Sequence, residues 1–192
     1  MVAPIAFRRV ALGDLATIRR WLNTPHVYEW WGVQSGPGSL GGKGDHAATA
    51  AEVHEKYAPG IAADDATTLR HVIVVDGHDV GLIQHYRLAD EPEYATAIGE
   101  TEPGGAGIDL FVGEPELVDR GLGPRVLDGY VTTIVFADPR VSRAVAGPHP
   151  DNVRSCRAFE KAGFVFVRDA VVPDEGPERI YVRTRDALPP RR

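Results

Sequence analysis

The chain has 192 residues, with 21 basic and 27 acidic side chains and a formal net charge of −6. This length predicts a single domain over residues 1–192. The negative balance excludes nucleic acid and anionic membrane surfaces as expected partners, because both attract basic proteins. The 21 glycines and 15 prolines are too few to predict disorder. The lone cysteine, the absence of a long apolar run and the early charge near the N-terminus indicate a cytoplasmic protein.

Strand and helix patterns alternate from the start of the chain. Residues 4–10 predict a strand, and Asp14 is the candidate N-cap of the helix that follows. Residues 32–45 are glycine-rich and predict a loop, because glycine weakens any regular element. A further helix is expected near residues 47–58.

The middle of the chain predicts a β-hairpin and another strand. Two strand-like runs, 69–75 and 79–88, flank the dipeptide Asp76-Gly77, which is typical of hairpin turns. A further strand is expected over residues 106–113. The hairpin gives this part of the predicted sheet an antiparallel pairing.

The last third of the chain predicts two helices and three strands. In order, these are a helix over 120–136, a strand over 142–147, a helix that begins at Asp151 or Asn152 and ends at Gly163, and strands over 164–170 and 178–185. An antiparallel hairpin followed by strand-helix-strand units indicates a mixed α/β fold.

Three short motifs are better explained by structure than by chemistry. Residues 36–41 match G-x-G-x-x-G by letters, but no strand leads into them, so we expect no dinucleotide site there. The seven histidines have no zinc-ligand spacing, and no metal is expected. Cys156 lies in a helix without a catalytic signature and is expected to be a packed thiol.

A glycine turn in front of a helix predicts an anion site. The strand at 107–112 leads through Arg120 into the turn at 121–125. The first N–H groups of a helix lack intrahelical partners, and the helix dipole places positive potential at the same end. A diphosphate suits such a site, where Arg120 and Arg125 add charge. A purely structural glycine turn explains the same residues equally well.

Two linked motifs resemble the GNAT superfamily of acyl-coenzyme A N-acyltransferases. Residues 152–164, Asn-Val-Arg-Ser-Cys-Arg-Ala-Phe-Glu-Lys-Ala-Gly-Phe, match its signature N-x-x-[SA]-x-x-x-[YF]-E-K-x-G-F at the expected distance after the glycine turn. Residues 21–32, the strand at 107–109 and the turn at 121–123 further resemble the aminoglycoside 6′-N-acetyltransferase branch. The resemblance covers residues 7–185.

The resemblance implies an α/β fold of the α+β kind, with a central mixed, mostly antiparallel sheet that splays at the fourth strand and is flanked by helices. It also implies acetyl-CoA as co-substrate, lying in that split. The residues implied to bind it are Leu110, Phe111 and Val112 along the pantetheine, Arg120, Gly121, Leu122, Gly123, Pro124 and Arg125 around the diphosphate, and Asn152 against the pantetheine arm.

Three positions depart from the pattern of the family. Val118 occupies the first position of its [RQ]-x-x-G-x-[GA] turn, which removes one polar contact to the phosphates. Phe159 replaces a tyrosine that many members are thought to use to protonate the leaving thiolate, and phenylalanine has no proton to donate. Gly147 lies where related enzymes carry an acid for the antibiotic, so their substrate contacts cannot be transferred to this chain.

Acidic residues are concentrated between positions 88 and 119, where nine carboxylates occur without Lys, Arg or His. Such a segment is either a solvated surface or the mouth of a site that attracts a polyamine. We expect Glu100, Glu102 and Asp109 to bind a cationic small-molecule amine. Trp30 and Trp31 are expected to stack on its sugar rings, although paired tryptophans also pack in cores.

Asp109 is the candidate general base. An amine is mostly ammonium at neutral pH and must lose a proton before it attacks a thioester, so a carboxylate within reach is required. Burial or acidic neighbours would have to raise the pKa of Asp109 above the ordinary value of about 3.9. A backbone N–H near Leu110 is expected to stabilise the oxyanion.

The sequence therefore predicts an acyl-CoA-dependent enzyme that acetylates the 6′- or 2′-amino group of an aminoglycoside and confers resistance to that antibiotic. A monomer and a homodimer are both compatible with it. One alternative is an N-acyltransferase for a siderophore-type hydroxylysine or another small polyamine. The other is a non-catalytic acyl-CoA sensor, for which Val118 and Phe159 are the arguments.

Overall fold

The computed structural model describes residues 4–31, 46–63, 67–173 and 175–185, so the predicted glycine-rich loop at 32–45 lies outside the described residues. The strands are β1 (Ile5–Arg9), β2 (Thr68–Val75), β3 (His78–Arg87), β4 (Gly105–Val112), β5 (Arg143–Ala146), β6 (Val165–Val172) and β7 (Gly176–Thr184). The helices are α1 (Leu15–Leu22), α2 (Pro25–Trp31), α3 (Ala50–Ala62), α4 (Pro92–Ala97), α5 (Leu122–Thr133) and α6 (Val153–Lys161).

The strands follow the order β1-β2-β3-β4-β5-β7-β6 in a seven-stranded sheet. β1 pairs antiparallel with β2, and β7 pairs antiparallel with both β5 and β6. β4 and β5 are parallel, with Gly105 opposite Arg143 and Gly107 opposite Val145. A mixed, mostly antiparallel sheet accompanied by helices confirms the predicted α/β fold.

Two compact units are distinguished within the chain. The first contains Met1–Gln84 and Asp109–Arg120, and the second contains His85–Ile108 and Gly121–Arg192. Both β3 and β4 have residues in each unit, because the division falls within these two strands. The prediction of a single domain stays a prediction.

The core of the first unit fixes the second half of β4. Phe111 is buried and packs edge-on against Trp21 and Trp31, with ring centroids 6.2 and 5.1 Å away. A Cβ at Gly113 would lie 2.1 Å from the Trp21 ring, so only glycine fits there. The Trp21 indole N–H also donates to Glu114 at 2.8 Å. These contacts hold the end of β4 in one position.

One hydrophobic cluster of the second unit is assembled from β5, β6, β7 and the segment around α4. Its buried residues are Leu88, Ala95, Ile98, Val145, Val172 and Ile180. Neither α4 nor α2 was predicted from the sequence. Both are short, and a helix of fewer than eight residues carries too few apolar positions to show a helical period.

Turns and caps were predicted with mixed success. The hairpin turn is confirmed, with positive φ at Asp76 (52°) and Gly77 (79°). Asn152 caps α6 as expected, and Gly163 follows its end at φ 83°. Asp14 is the N-cap residue of α1, as predicted, but its side chain makes no capping hydrogen bond, because its carboxylate accepts from Arg8 and from the backbone N–H of Ala11.

Candidate active site

Asp109 lies on β4 in the first unit and is half-buried. Its Oδ2 accepts a hydrogen bond from Nε2 of Gln84 at 3.0 Å. Burial raises the pKa of the Asp109 carboxyl, while the Gln84 hydrogen bond and the charges of Lys56 and Arg70 oppose that rise. A carboxylate with a raised pKa accepts a proton more readily than an ordinary aspartate, which suits the predicted general base.

Two buried polar atoms in the same unit, Nε1 of Trp31 and the hydroxyl of Tyr57, have no hydrogen-bond partner among the described residues other than each other. Burial raises the pKa of Tyr57 to about 12, so its hydroxyl stays protonated at neutral pH. An unsatisfied buried donor costs about 1–3 kcal/mol, which a polar group of a ligand would recover. Trp31 was predicted to contact substrate. Tyr57 was not, because its spacing in α3 is that of a core residue.

The other predicted residues of this unit are placed by α2 and β4. Trp30 and Trp31 end α2, and both are only partly exposed. The Phe111 side chain belongs to the core, which leaves only its backbone for the predicted pantetheine contact. The carbonyl of Val112 already contacts a ring nitrogen of His26 at 2.8 Å. Leu110 is half-buried.

The start of α5 has the features expected of a diphosphate site. Gly121 is its N-cap, in the left-handed region at φ 73°, and no described side chain caps the helix. Within the described residues, nothing lies within 4 Å of the position that a Cβ at Gly121 would take. Arg120 and Arg125 are both exposed. The first-turn N–H groups are therefore open to an anion, and the turn fits the diphosphate of acetyl-CoA.

The same turn is packed closely against α6. A Cβ at Gly123 would lie 3.4 Å from the Cβ of Ala158, so glycine permits the close approach of α5 and α6. Asn152 caps α6 by accepting a hydrogen bond from the backbone N–H of Ser155 at 3.1 Å. The side-chain oxygen of Asn152 is thus occupied, and its amide nitrogen is the donor available for the predicted contact with pantetheine.

Glu100 has the geometry of a structural ion pair. It is buried in the second unit, and its two carboxylate oxygens accept hydrogen bonds from Arg143 at 2.9 Å and Arg168 at 2.8 Å. Glu102 is exposed, and its backbone carbonyl accepts from Arg143. The predicted contact of both glutamates with substrate stays a prediction, and the ion pairs of Glu100 argue against it.

A buried acid that the sequence did not indicate fills the space beside Gly147. A Cβ at Gly147 would lie 1.9 Å from Oε2 of Glu178 and 2.9 Å from the hydroxyl of Tyr94. The Tyr94 hydroxyl donates to the same Glu178 oxygen at 3.0 Å, and Glu178 is buried. The space that a side chain at residue 147 would need is therefore occupied by the Glu178 carboxylate from β7.

Phe159 is part of an aromatic cluster in the second unit. It is buried, stacks on Tyr181 at 6.3 Å and meets Phe164 edge-on at 5.2 Å. The Tyr181 hydroxyl donates a hydrogen bond to Glu160, and burial raises the pKa of Tyr181 above its ordinary value. Cys156 is buried as well, which confirms the packed thiol. Phe159 itself offers no proton donor.

Residues 4–31, 46–63, 67–173 and 175–185 contain neither a metal-binding cluster nor a membrane-spanning helix. Within them, no three His, Cys, Asp or Glu side chains come together in a group that could hold a metal ion. No helix in these ranges is long and apolar enough to cross a bilayer.

Comparison with known proteins identifies the family. The family model of the acetyltransferase (GNAT) domain matches residues 11–172, which is most of the chain. The chain belongs to the GNAT acetyltransferase family. The predictions of this family, of an acyl-CoA-dependent N-acetyltransferase and of acetyl-CoA as co-substrate are confirmed.

Relatives of this GNAT acetyltransferase act on amines of two kinds. It is 32% identical to aminoglycoside N(6′)-acetyltransferase type 1 of Klebsiella pneumoniae, over 96% of this chain and 85% of the relative. The crystal structure of aminoglycoside acetyltransferase AAC(6′)-Ib with coenzyme A and kanamycin superposes with a TM-score of 0.76, at 29% identity, over 96% of both chains. Lysine N-acyltransferase MbtK of Mycolicibacterium paratuberculosis is 25% identical, over 85% of this chain and 66% of the relative.

The predicted site residues of this GNAT acetyltransferase fall into two groups. The first unit contains Trp30, Trp31, Asp109, Leu110, Phe111, Val112 and Arg120, and the second contains Glu100, Glu102, Gly121, Leu122, Gly123, Pro124, Arg125 and Asn152. Sequence reasoning missed Gln84, Tyr57 and Arg70, which surround Asp109 in the first unit. The signal for Gln84 was its place in a run of otherwise apolar, buried β3 residues.

Proposed function

We propose that this GNAT acetyltransferase transfers the acetyl group of acetyl-CoA to an amino group of an aminoglycoside, preferably the 6′-amino group, and so confers resistance to the antibiotic. The observation that carries the proposal is Asp109, a half-buried carboxylate whose pKa burial raises and whose orientation Gln84 fixes. The 6′-acetyltransferases among its relatives support the choice of substrate.

In the proposed reaction, Asp109 removes a proton from the substrate ammonium group. The neutral amine then attacks the thioester carbonyl, a C–N bond forms, and the C–S bond breaks. Acetyl-CoA, when bound, supplies the acetyl group as an activated thioester. A backbone N–H near Leu110 stabilises the oxyanion. The nitrogen that has formed the C–N bond gives up its second proton to solvent water as the amide is completed. Because Phe159 donates no proton, water delivers that proton to the leaving thiolate, which departs as the free thiol.

We assign binding of acetyl-CoA to the residues that the family motif indicates: Leu110, Phe111 and Val112, the turn Arg120, Gly121, Leu122, Gly123, Pro124 and Arg125, and Asn152. The open N–H groups at the start of α5 are the support for the diphosphate part of this assignment. The exposed arginines on the turn add favourable charge and replace the polar contact that Val118 cannot make.

For the substrate side, we propose that Trp31 and Trp30 bind the aminoglycoside with Asp109, and that Tyr57 joins them. The supporting observation is that the buried N–H of Trp31 and hydroxyl of Tyr57 have only each other as hydrogen-bonding neighbours among the described residues, so a sugar hydroxyl or amino group at Trp31 would add a hydrogen bond. We also propose that the protein is cytoplasmic and is either a monomer or a homodimer.

A panel of aminoglycosides assayed for release of free coenzyme A thiol tests the proposal. We expect thiol release with amines that carry a 6′-amino group, and mass spectrometry of fragments should place the added acetyl group there. Acetylation at the 2′ position would correct the regiochemistry. Thiol release only with lysine-type amines and longer acyl-CoA donors would favour the MbtK-like function instead. Binding of acetyl-CoA without any thiol release would indicate the sensor.

A further inference from the structure

Three polar side chains form a continuous hydrogen-bonded chain within the first unit. Arg70 on β2 donates through Nε to Oε1 of Gln84 on β3 at 3.1 Å. Gln84 in turn donates through Nε2 to Oδ2 of Asp109 on β4 at 3.0 Å. Because these strands are neighbours in the sheet, the three residues cross it from one strand to the next. The chain ends on the proposed general base.

The guanidinium of Arg70 packs against two residues of α3. It lies over the ring of Tyr57, with Cζ 5.2 Å from the ring centroid. On α3, a Cβ at Gly60 would lie 2.7 Å from a terminal nitrogen of Arg70, so the guanidinium occupies space that glycine leaves open. Burial lowers the pKa of Arg70, yet an arginine side chain remains charged at any pH at which the protein is folded. A cation held in place therefore lies, half-buried, beside Gln84.

The fixed cation decides which way the Gln84 amide points. A guanidinium can only donate hydrogen bonds, so the amide must present its oxygen to Arg70. The amide nitrogen then faces Asp109, which can only accept when it is ionised. Without Arg70 the amide could turn over and set its oxygen against the carboxylate. The orientation seen here is the one that favours the ionised, proton-accepting form of Asp109.

The neutral amide also keeps the cation one residue away from the base. A direct Arg–Asp pair would lower the pKa of the carboxyl strongly and weaken it as a base. The groups that face Asp109 are Gln84 from β3, Arg70 from β2, and Lys56 and Tyr57 from α3. Burial outweighs the cations, and the carboxyl keeps a raised pKa. Arg70 thus orients the amide without neutralising the base.

We propose that Arg70 is a positioning residue for acetyl transfer, which acts through Gln84 to hold Asp109 in its proton-accepting orientation. This inference rests on the proposed function, in which Asp109 is the general base. Arg70 need not touch substrate or coenzyme in this role, and its effect is transmitted by the orientation of one amide group.

The test compares Arg70→Met with Arg70→Lys by the pH dependence of kcat/KM. Arg70→Met removes the fixed donor and a positive charge, both of which lower the pKa of Asp109, so the acid limb of the profile should move to higher pH. At neutral pH kcat should fall about threefold to tenfold, with the KM for the aminoglycoside changed less than about twofold. Arg70→Lys keeps a cation that can only donate and should restore most of the activity and the original acid limb.

A second variant perturbs Arg70 without replacing it. Gly60→Ala places a methyl group where the guanidinium lies and should displace it, although alanine is the better helix residue at most positions. We expect the same direction of change in the acid limb, by a smaller amount. This variant keeps the inference testable if Arg70→Met does not fold.

Arg87→Met serves as the matched control. Arg87 is an arginine on the neighbouring strand β3, but it is exposed and forms an ion pair with Asp90. It should leave the pH profile unchanged. An unchanged acid limb in a folded Arg70→Met enzyme, or an equal loss in Arg70→Lys, would overturn the inference. So would a change confined to the melting temperature, which is what a merely structural arginine would give.

A direct titration separates this inference from the proposed function. The carboxyl carbon of Asp109, followed by NMR and assigned with Asp109→Asn, should titrate at higher pH in Arg70→Met than in the wild-type protein. An identical titration would overturn the inference even if the enzyme acetylates aminoglycosides. A shifted titration in a protein that releases no thiol would instead uphold the Arg70–Gln84–Asp109 arrangement and remove the proposed function.

Discussion

Glu100 and Asp109 come from the same acidic segment, and their surroundings differ completely. Glu100 has a guanidinium on each carboxylate oxygen, from Arg143 and Arg168. Asp109 has a neutral amide on one oxygen. Both were predicted from their charge to attract a cationic substrate. The comparison teaches that the partners of a buried carboxylate, rather than its place in an acidic run, show whether its charge is already balanced by arginines.

The physical difference lies in what each carboxylate can still do. The charge of Glu100 is balanced within its own unit, and both of its oxygens are engaged. A second cation would have to displace an arginine, which leaves a buried charge unpaired. Asp109 has a raised pKa and an oxygen that the Gln84 amide does not engage. Of the two carboxylates, only Asp109 keeps both a raised pKa and an oxygen that these hydrogen bonds leave unengaged.

The largest effect that this comparison predicts is the loss of stability in Glu100→Gln. Removing one member of a buried ion pair leaves its partner's charge uncompensated, and we expect the free energy of unfolding to fall by about 3 kcal/mol. Below the melting transition, the KM for the aminoglycoside should be unchanged. Urea unfolding and steady-state kinetics on the same sample measure both quantities.

Glu102→Gln is the matched control for that variant, two residues away and exposed. Its unfolding free energy should stay within about 0.5 kcal/mol of the wild-type value. If Glu100→Gln instead raised KM severalfold and kept its stability, Glu100 would be a substrate ligand, and the contrast between the two carboxylates would disappear.

The next largest effect is on catalysis by Asp109→Asn. Asparagine keeps the shape and can still accept from Gln84, but it cannot take a proton. We expect kcat/KM for acetyl transfer to fall at least about tenfold, or about 1.4 kcal/mol of transition-state stabilisation. Acetyl-CoA binding, followed by calorimetry, should be preserved. Wild-type kinetics in this variant, with an intact fold, would remove Asp109 from the mechanism.

The sequence could predict that Asp109 lies on a strand, because that position follows a local pattern, whereas its role as general base stays a prediction. A strand of known period, a glycine turn and a helix place the residue and the turn by short-range geometry. The caps at Asn152 and Gly163 were predicted for the same reason. Patterns within one element depend on nearest neighbours, and these are visible in the order of residues.

The partners of each carboxylate could not be predicted, because they come from distant positions. Arg168 is 68 residues from Glu100, and Gln84 is 25 residues from Asp109. Glu178 fills the space beside Gly147 from another strand. Such contacts depend on strand order and register, which charge patterns do not encode. A count of acidic residues therefore predicts where charge lies but not which charge is already balanced.

A third prediction concerns the proton that the leaving thiolate requires, the counterpart of the proton that Asp109 is proposed to remove. Phe159→Tyr adds a hydroxyl to a buried ring that stacks on Tyr181. Because a thiol of pKa about 8.5 leaves tolerably without help, we expect activity between the wild-type level and about threefold above it. Stopped-flow measurement of thiol release checks this. A severe loss in a folded variant would show that the aromatic cluster requires an apolar ring at this position.

The smallest effect separates the two carboxylates by the pH dependence of stability. Burial raises the pKa of Asp109 in the folded state above its unfolded value near 3.9, so folding binds its proton more tightly. That contribution to stability is present at low pH and is lost as the pH rises through the folded-state pKa. The Asp109→Asn variant cannot lose stability in this way. Its melting temperature should be slightly higher than that of the wild-type protein at pH 7 and equal to it at pH 3. Glu100→Gln should melt below the wild type at pH 7. A lower melting temperature for both variants at pH 7 would mean that Asp109, like Glu100, is held mainly for structure.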